Sequence, residues 1–110
     1  MRPLQLGKVY PITSLNNRQG WSHFELVKSY LQGGGRLFQV RDTSLSDSAL
    51  YHQLLEVRSL CDPVKAQFLV NNRVDLAMAV KAHGVHLGQE DLPVAIARKI
   101  LGKEALIGLS

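Results

Sequence analysis

The residues best suited to chemistry in this chain are Gln39, Arg41, Asn71, Asn72, Gln89, Asp91 and Ser110. Arg41 is a planar, permanently charged fork suited to phosphate oxygens. Asp91 is a carboxylate able to hold Mg²⁺, a cation that keeps several of its waters and bridges phosphates. Gln39 and Asn71 can read a polar heterocycle. Each residue taken alone also has a structural role open to it, with Asp91 near a helix start, Asn71 and Asn72 in a turn, and Arg41 in a surface ion pair. What favours a binding site is their shared position, because every one lies at or just beyond the end of an apolar run.

Those runs alternate between two periods. Lys8 to Thr13 reads as a first strand despite Pro11, and Ser14 to Gly20 as polar loop. Ser22 is spaced from Glu25 as a capping box, and Phe24, Val27 and Leu31 then share a helical face. Gly33, Gly34 and Gly35 close that helix. They precede a strand instead of following one, so they are not a phosphate loop. Arg36 to Arg41 is a second strand with Gln39, Arg41 and Thr43 on one side and Val40 on the other. Ser44 or Ser46 caps a second helix whose stripe is Leu50, Leu54, Val57 and Cys61, and Asp62-Pro63 stops it. Phe68 to Val70, Val74 to Val80 and Gly84 to Leu87 give strand, helix and strand. Pro93 opens a fourth helix with Val94, Ala97, Ile100 and Leu101 inward, Gly102 ends it, and Ala105 to Leu109 is a fifth strand. Met78 is expected in the core, Trp21 over the first helix, His83 at the surface, and His86 hydrogen-bonded beneath the site. The strand between the two histidines prevents a helical metal pair.

Five strands alternating with four helices imply βαβ units and a parallel sheet. The candidate residues then ring the C-terminal edge of that sheet, where α/β folds place their ligands. The residues alone leave both a half-barrel and a small open doubly wound sheet in play. With 110 residues, 45% hydrophobic and 20% charged, the chain reads as one modest globular domain over residues 1–110. The formal charge of +4 is scattered, and at 6% aromatics there is no stacking platform, so a phosphorylated small molecule suits it and nucleic acid does not. A single cysteine, no run long enough to span a bilayer and no signal-peptide core predict a cytoplasmic protein without membrane partners.

The stretch Asn71, Arg73-Val74-Asp75-Leu76-Ala77 and the run Gly84 to Pro93 resemble the centre of thiamine phosphate synthases. The resemblance extends over nearly the whole chain but over only the first half of such an enzyme. It implies the N-terminal half of a (β/α)8 TIM barrel. It also implies a transferase that couples hydroxymethylpyrimidine pyrophosphate to thiazole phosphate and releases pyrophosphate, with Mg²⁺ as cofactor. Carried over residue by residue, Gln39 would meet the pyrimidine and Arg41 and Asn71 the pyrophosphate. Asp91 would hold Mg²⁺, and Ser110 would meet the phosphate end or developing charge, making Arg41 and Ser110 the catalytic groups. Asn72 and Gln89 complete the substrate-binding set. Thr43 stands where the family usually has a lysine, and Asn72 where it usually has an aspartate. Those departures suit the related thiazole tautomerase branch, an isomerase that needs no pyrophosphate metal; a non-catalytic barrel fragment or binding protein is the third reading. Open barrel edges predict that the isolated segment forms a homodimer or larger species.

Overall fold

A computed structural model describes residues 11–14 and 22–110. Its elements, in chain order, are β1 (Ile12–Ser14), α1 (His23–Gln32), β2 (Leu37–Arg41), α2 (Asp47–Cys61), β3 (Gln67–Asn71), α3 (Val74–Ala79), β4 (Gly84–Leu87), α4 (Val94–Leu101) and β5 (Leu106–Leu109). A 3₁₀ turn at Asp62–Val64 follows α2, with Pro63 in its first turn and Lys65 left-handed beyond it. The expectations for residues 8–10, for most of the first loop and for Trp21 lie outside the described residues. Ser14, expected in loop, is the last residue of β1.

All strand pairs are parallel, and the sheet order is β1-β2-β3-β4-β5. This order distinguishes the two architectures that the residues left open. A doubly wound sheet reverses its order at a switch point and puts helices on both faces. Sequential order with right-handed crossovers puts every helix on one face, as in a barrel. The burial agrees. Phe38, Val40, Phe68, Val70, Val85 and Leu87 alternate along the strands and form one core with the helices. Leu69 and Leu106 are buried but lie outside that core, on the opposite face. The described chain is thus five parallel strands and four helices in the arrangement of half a (β/α)8 barrel.

Local chemistry explains the helices. Ser22 Oγ accepts the Glu25 N–H at 3.1 Å, and Ser46 Oγ accepts the Ala49 N–H at 3.1 Å, so Ser46 and not Ser44 caps α2. Leu50, Leu54, Val57 and Cys61 are buried as their spacing predicts. Burial pushes the Cys61 thiol pKa up to about 11, which makes it an inert packing residue. The buried stripe of α1 begins at His23, with Val27 and Leu31 following, while Phe24 is only half-buried. Gly35 sits where a Cβ would overlap the Tyr30 ring, so the triplet is packing and turn, as expected.

Three expectations about side chains fail. Met78 is 58% exposed, because the inward side of α3 is Val74, Leu76, Ala77 and then Val80, which leaves Met78 round the outer flank. In α4 only Ala97 is fully buried. Val94 and Ile100 are exposed and Leu101 half-covered, since α4 has a neighbouring helix on the α3 side alone among the described residues. His83 is half-buried at the start of β4. Its Nδ1 accepts the Phe68 N–H at 3.1 Å, and desolvation together with Arg58 pushes its pKa down. Among the described residues no helix is long and apolar enough to cross a membrane.

Candidate functional site

Because every strand runs the same way, the ends of β2, β3, β4 and β5 form one edge, and the residues that leave them are gathered there. Gln39 faces away from the helices in a register row with Leu69, Gly84 and Leu106. It is buried at 2% exposure, beneath the rim. Gly84 belongs to this row of necessity, since a Cβ there would collide with the Leu106 carbonyl. The next row up pairs Ser14 with Arg41, and Asn71 with His86 and Gly108. Arg41 is exposed and closes β2. Among the described residues the ion pairs are His23–Asp42, Arg58–Asp62, Arg73–Asp47 and Arg73–Asp75, so Arg41 enters none of them.

The loop after β3 is held from both sides. The Asn72 N–H donates to the His86 carbonyl at 2.8 Å, which ties the loop to β4, and the Arg73 N–H donates to the Asn71 carbonyl at 2.7 Å. Asn72 itself is left-handed at φ 51°, a conformation that Asn and Asp tolerate better than other side chains. Arg73 then reaches Asp75 through two nitrogens at 3.1 and 2.9 Å and Asp47 of α2 at 2.9 Å. Asp75 is held below the ordinary carboxylate range by Arg73, and the two carboxylates push the Arg73 guanidinium further up. This clamp fixes the starts of α2 and α3 relative to each other, directly behind Asn71 and Asn72.

Beyond β4 and β5 the rim is knitted by side chains. His86 Nε2 lies 3.0 Å from Ser110 Oγ, and Gln89 Nε2 donates to the Ser110 carbonyl at 2.8 Å. The Ser110 N–H donates to the Leu87 carbonyl at 3.0 Å. Gly108 leaves room for this ring, since a Cβ would press on His86 Nδ1. Gln89 is exposed and spends its amide on fixing Ser110. Asp91 is half-buried, and one of its oxygens accepts the Gly88 N–H at 2.7 Å. Arg41, Asn71, Asn72, Gln89, Asp91 and Ser110 therefore share one edge, with Gln39 below it. Thr43 is exposed in the loop after β2.

Sequence reading missed the group that anchors this edge. His23 is fully buried at the start of α1, with Thr13 Oγ1 3.0 Å from Nδ1 and Asp42 Oδ2 2.7 Å from Nε2. The other Asp42 oxygen accepts the Ser44 N–H at 2.7 Å, the Ser44 hydroxyl at 2.9 Å and the Leu45 N–H at 2.8 Å. Burial alone would raise the Asp42 pKa, but hydrogen bonds from Leu45, His23 and Ser44 outweigh it and hold the carboxyl below its ordinary value. The signal was present as an Asp two residues before a Ser at a strand end, the pattern of an Asx turn.

Comparison with known proteins agrees with the fold. Residues 9–110 match the family model described as thiamine monophosphate synthase. The chain is 54% identical over 84 residues to the thiamine-phosphate synthase of Nostoc punctiforme, covering 76% of this chain and 24% of that protein. It is 43% identical over 102 residues to that of Methanospirillum hungatei, covering 93% of this chain and 50% of that one. The solved thiamine phosphate pyrophosphorylase of Pyrococcus furiosus superposes with a TM-score of 0.79 at 34% identity, over 91% of this chain and 48% of that one. The chain thus spans about half the length of these relatives, and about a quarter of the Nostoc protein. With the family model matching residues 9–110 and the fold shared with the solved relative, the chain belongs to the thiamine monophosphate synthase family.

Proposed function

We propose that this chain carries the pyrimidine and pyrophosphate side of a thiamine phosphate synthase site. In that reaction hydroxymethylpyrimidine pyrophosphate loses its pyrophosphate, which departs with the electron pair of the broken C–O bond. The thiazole nitrogen of a thiazole phosphate then gives its lone pair to the methylene carbon. The observation that supports this reading is the gathering of Arg41, Asn71, Asp91 and Ser110 at one edge of a parallel sheet. Arg41 and Asn71 bind pyrophosphate oxygens, Gln39 meets the pyrimidine from below, and the Ser110 hydroxyl, set by His86 and Gln89, faces the charge that develops at the leaving group. Asn72 and Gln89 complete the binding surface.

The donor set suits a weak Mg²⁺ site. One carboxylate oxygen of Asp91 and the neutral amides of Asn71 and Asn72 are hard oxygen donors at the same edge, and a cation that keeps several waters needs few of them. When bound, Mg²⁺ neutralises charge on the pyrophosphate. Thr43 and Asn72 favour a second reading, a thiazole tautomerase-type isomerase, because together they remove one positive and one negative charge from the pyrophosphate side.

Calorimetry of Mg²⁺-pyrophosphate against the 110-residue chain separates these readings. The synthase reading expects binding that weakens by about 1.5–3 kcal/mol, roughly tenfold or more, in Arg41→Met, the range for a charge-assisted hydrogen bond. Binding that is absent, or unchanged by Arg41→Met, contradicts it.

A further inference from the structure

We infer that the buried His23–Asp42 pair is a positioning device for the anion-binding arm of this rim, an inference that rests on the pyrophosphate reading above. Asp42 follows Arg41 directly and precedes Thr43. A charged carboxylate at 1% side-chain exposure, one residue from a phosphate-binding arginine, would oppose an anion unless its own charge were taken up. Its lone pairs are engaged by hydrogen bonds that disperse that charge. A carboxylate offers about four lone-pair sites, and here it receives the Ser44 N–H, the Ser44 hydroxyl, the Leu45 N–H and His23 Nε2. The first three bonds curl the chain after β2 into a fixed turn. The fourth ties that turn to the His23 ring, whose Nδ1 lies against Thr13 of β1, while the backbone N–H of the same residue donates to Gln53 Oε1 of α2 at 2.9 Å.

The acceptor character of Asp42 also fixes the ring. The Nε2–H donates to the Asp42 carboxylate, which leaves Nδ1 to accept from the Thr13 hydroxyl. One residue, His23, therefore joins β1, the turn after β2 and α2 to α1, and the residues on either side of its carboxylate partner, Arg41 and Thr43, are the two that leave the end of β2 for the rim. His23 touches no proposed ligand. It acts through Asp42, so it is a positioning residue and not a catalytic one.

The test uses the 110-residue chain with Mg²⁺-pyrophosphate as the probe. His23→Leu leaves Asp42 buried without its ring partner, and pyrophosphate affinity is expected to fall about tenfold. Asp42→Asn keeps an oxygen for the Ser44 and Leu45 N–H groups and can donate to the ring once the tautomer switches, so affinity should stay within about threefold. In the unmodified protein, the His23 imidazole ¹⁵N and ¹H resonances should shift on saturation with pyrophosphate, a readout that survives if His23→Leu fails to fold. A folded His23→Leu that binds as tightly as the unmodified chain, or His23 resonances unmoved at saturation, overturns the inference while the site reading stands. An unmodified chain that binds no pyrophosphate overturns both.

Discussion

At the scale of single residues, Asp42 links the stability of the chain to pH. Its carboxyl sits below the ordinary value despite burial, owing to hydrogen bonds from Leu45, His23 and Ser44. A depressed folded-state pKa means that the unfolded chain takes up the proton first as acid is added. The stabilisation is therefore complete above the unfolded value and is lost as pH falls through the folded one. Denaturant melts should show the unmodified chain more stable than Asp42→Asn at pH 7, by about 1.5–3 kcal/mol, the range for hydrogen bonds to a charged group. The gap should close as the pH falls through the interval from the ordinary carboxylate value to the lower folded-state one. A gap that stays constant across that interval would mean that the charge contributes nothing. The strand-end placement of Arg41, Asn71 and Ser110 was legible in the sequence because a strand end and a polar side chain are local features. His23 was not, because only the packing of α1 against β1 and α2 turns a helical histidine into the centre of a network.

At the scale of elements, strands and capped helices followed from period and capping chemistry, and from α1 onward their boundaries moved by only a residue or so. Which helical side chains face inward did not follow equally well. Leu50, Leu54, Val57 and Cys61 of α2 were correct because that helix is packed along its whole inner face. Met78, Val94 and Ile100 were not, because α3 is a short helix and α4 is flanked by a helix on one side only among the described residues. The same arrangement leaves β5 paired to β4 alone in the described sheet, with Leu109 58% exposed and Ile96 and Ile100 of α4 exposed beside it. An unpaired strand edge next to apolar surface recruits another chain. Produced as residues 1–110, the polypeptide should run as a dimer or larger species, and charged substitutions at Ile96 and Ile100 should reduce its mass in light scattering. A monodisperse monomer would contradict this account of the β5 edge.

At the scale of the whole molecule, the strand order chose the architecture. Composition allowed two kinds of parallel sheet, and the order β1-β2-β3-β4-β5 without a switch point belongs to the barrel. A barrel site draws on loops from all around its mouth, so the chemistry proposed for this rim is best measured with the other loops in place. Residues 1–110 can replace the corresponding half of the Methanospirillum hungatei relative, of which this chain covers 50%. The chimera is assayed for thiamine phosphate formation from the pyrimidine pyrophosphate and the thiazole phosphate. The expected result is turnover that falls ~100-fold in Arg41→Met, the size of loss seen when one transition-state donor is removed, and that rises when Thr43→Lys and Asn72→Asp are introduced together. A folded chimera without turnover, in both its original form and the doubly substituted one, would contradict the assignment of this rim to the synthase reaction.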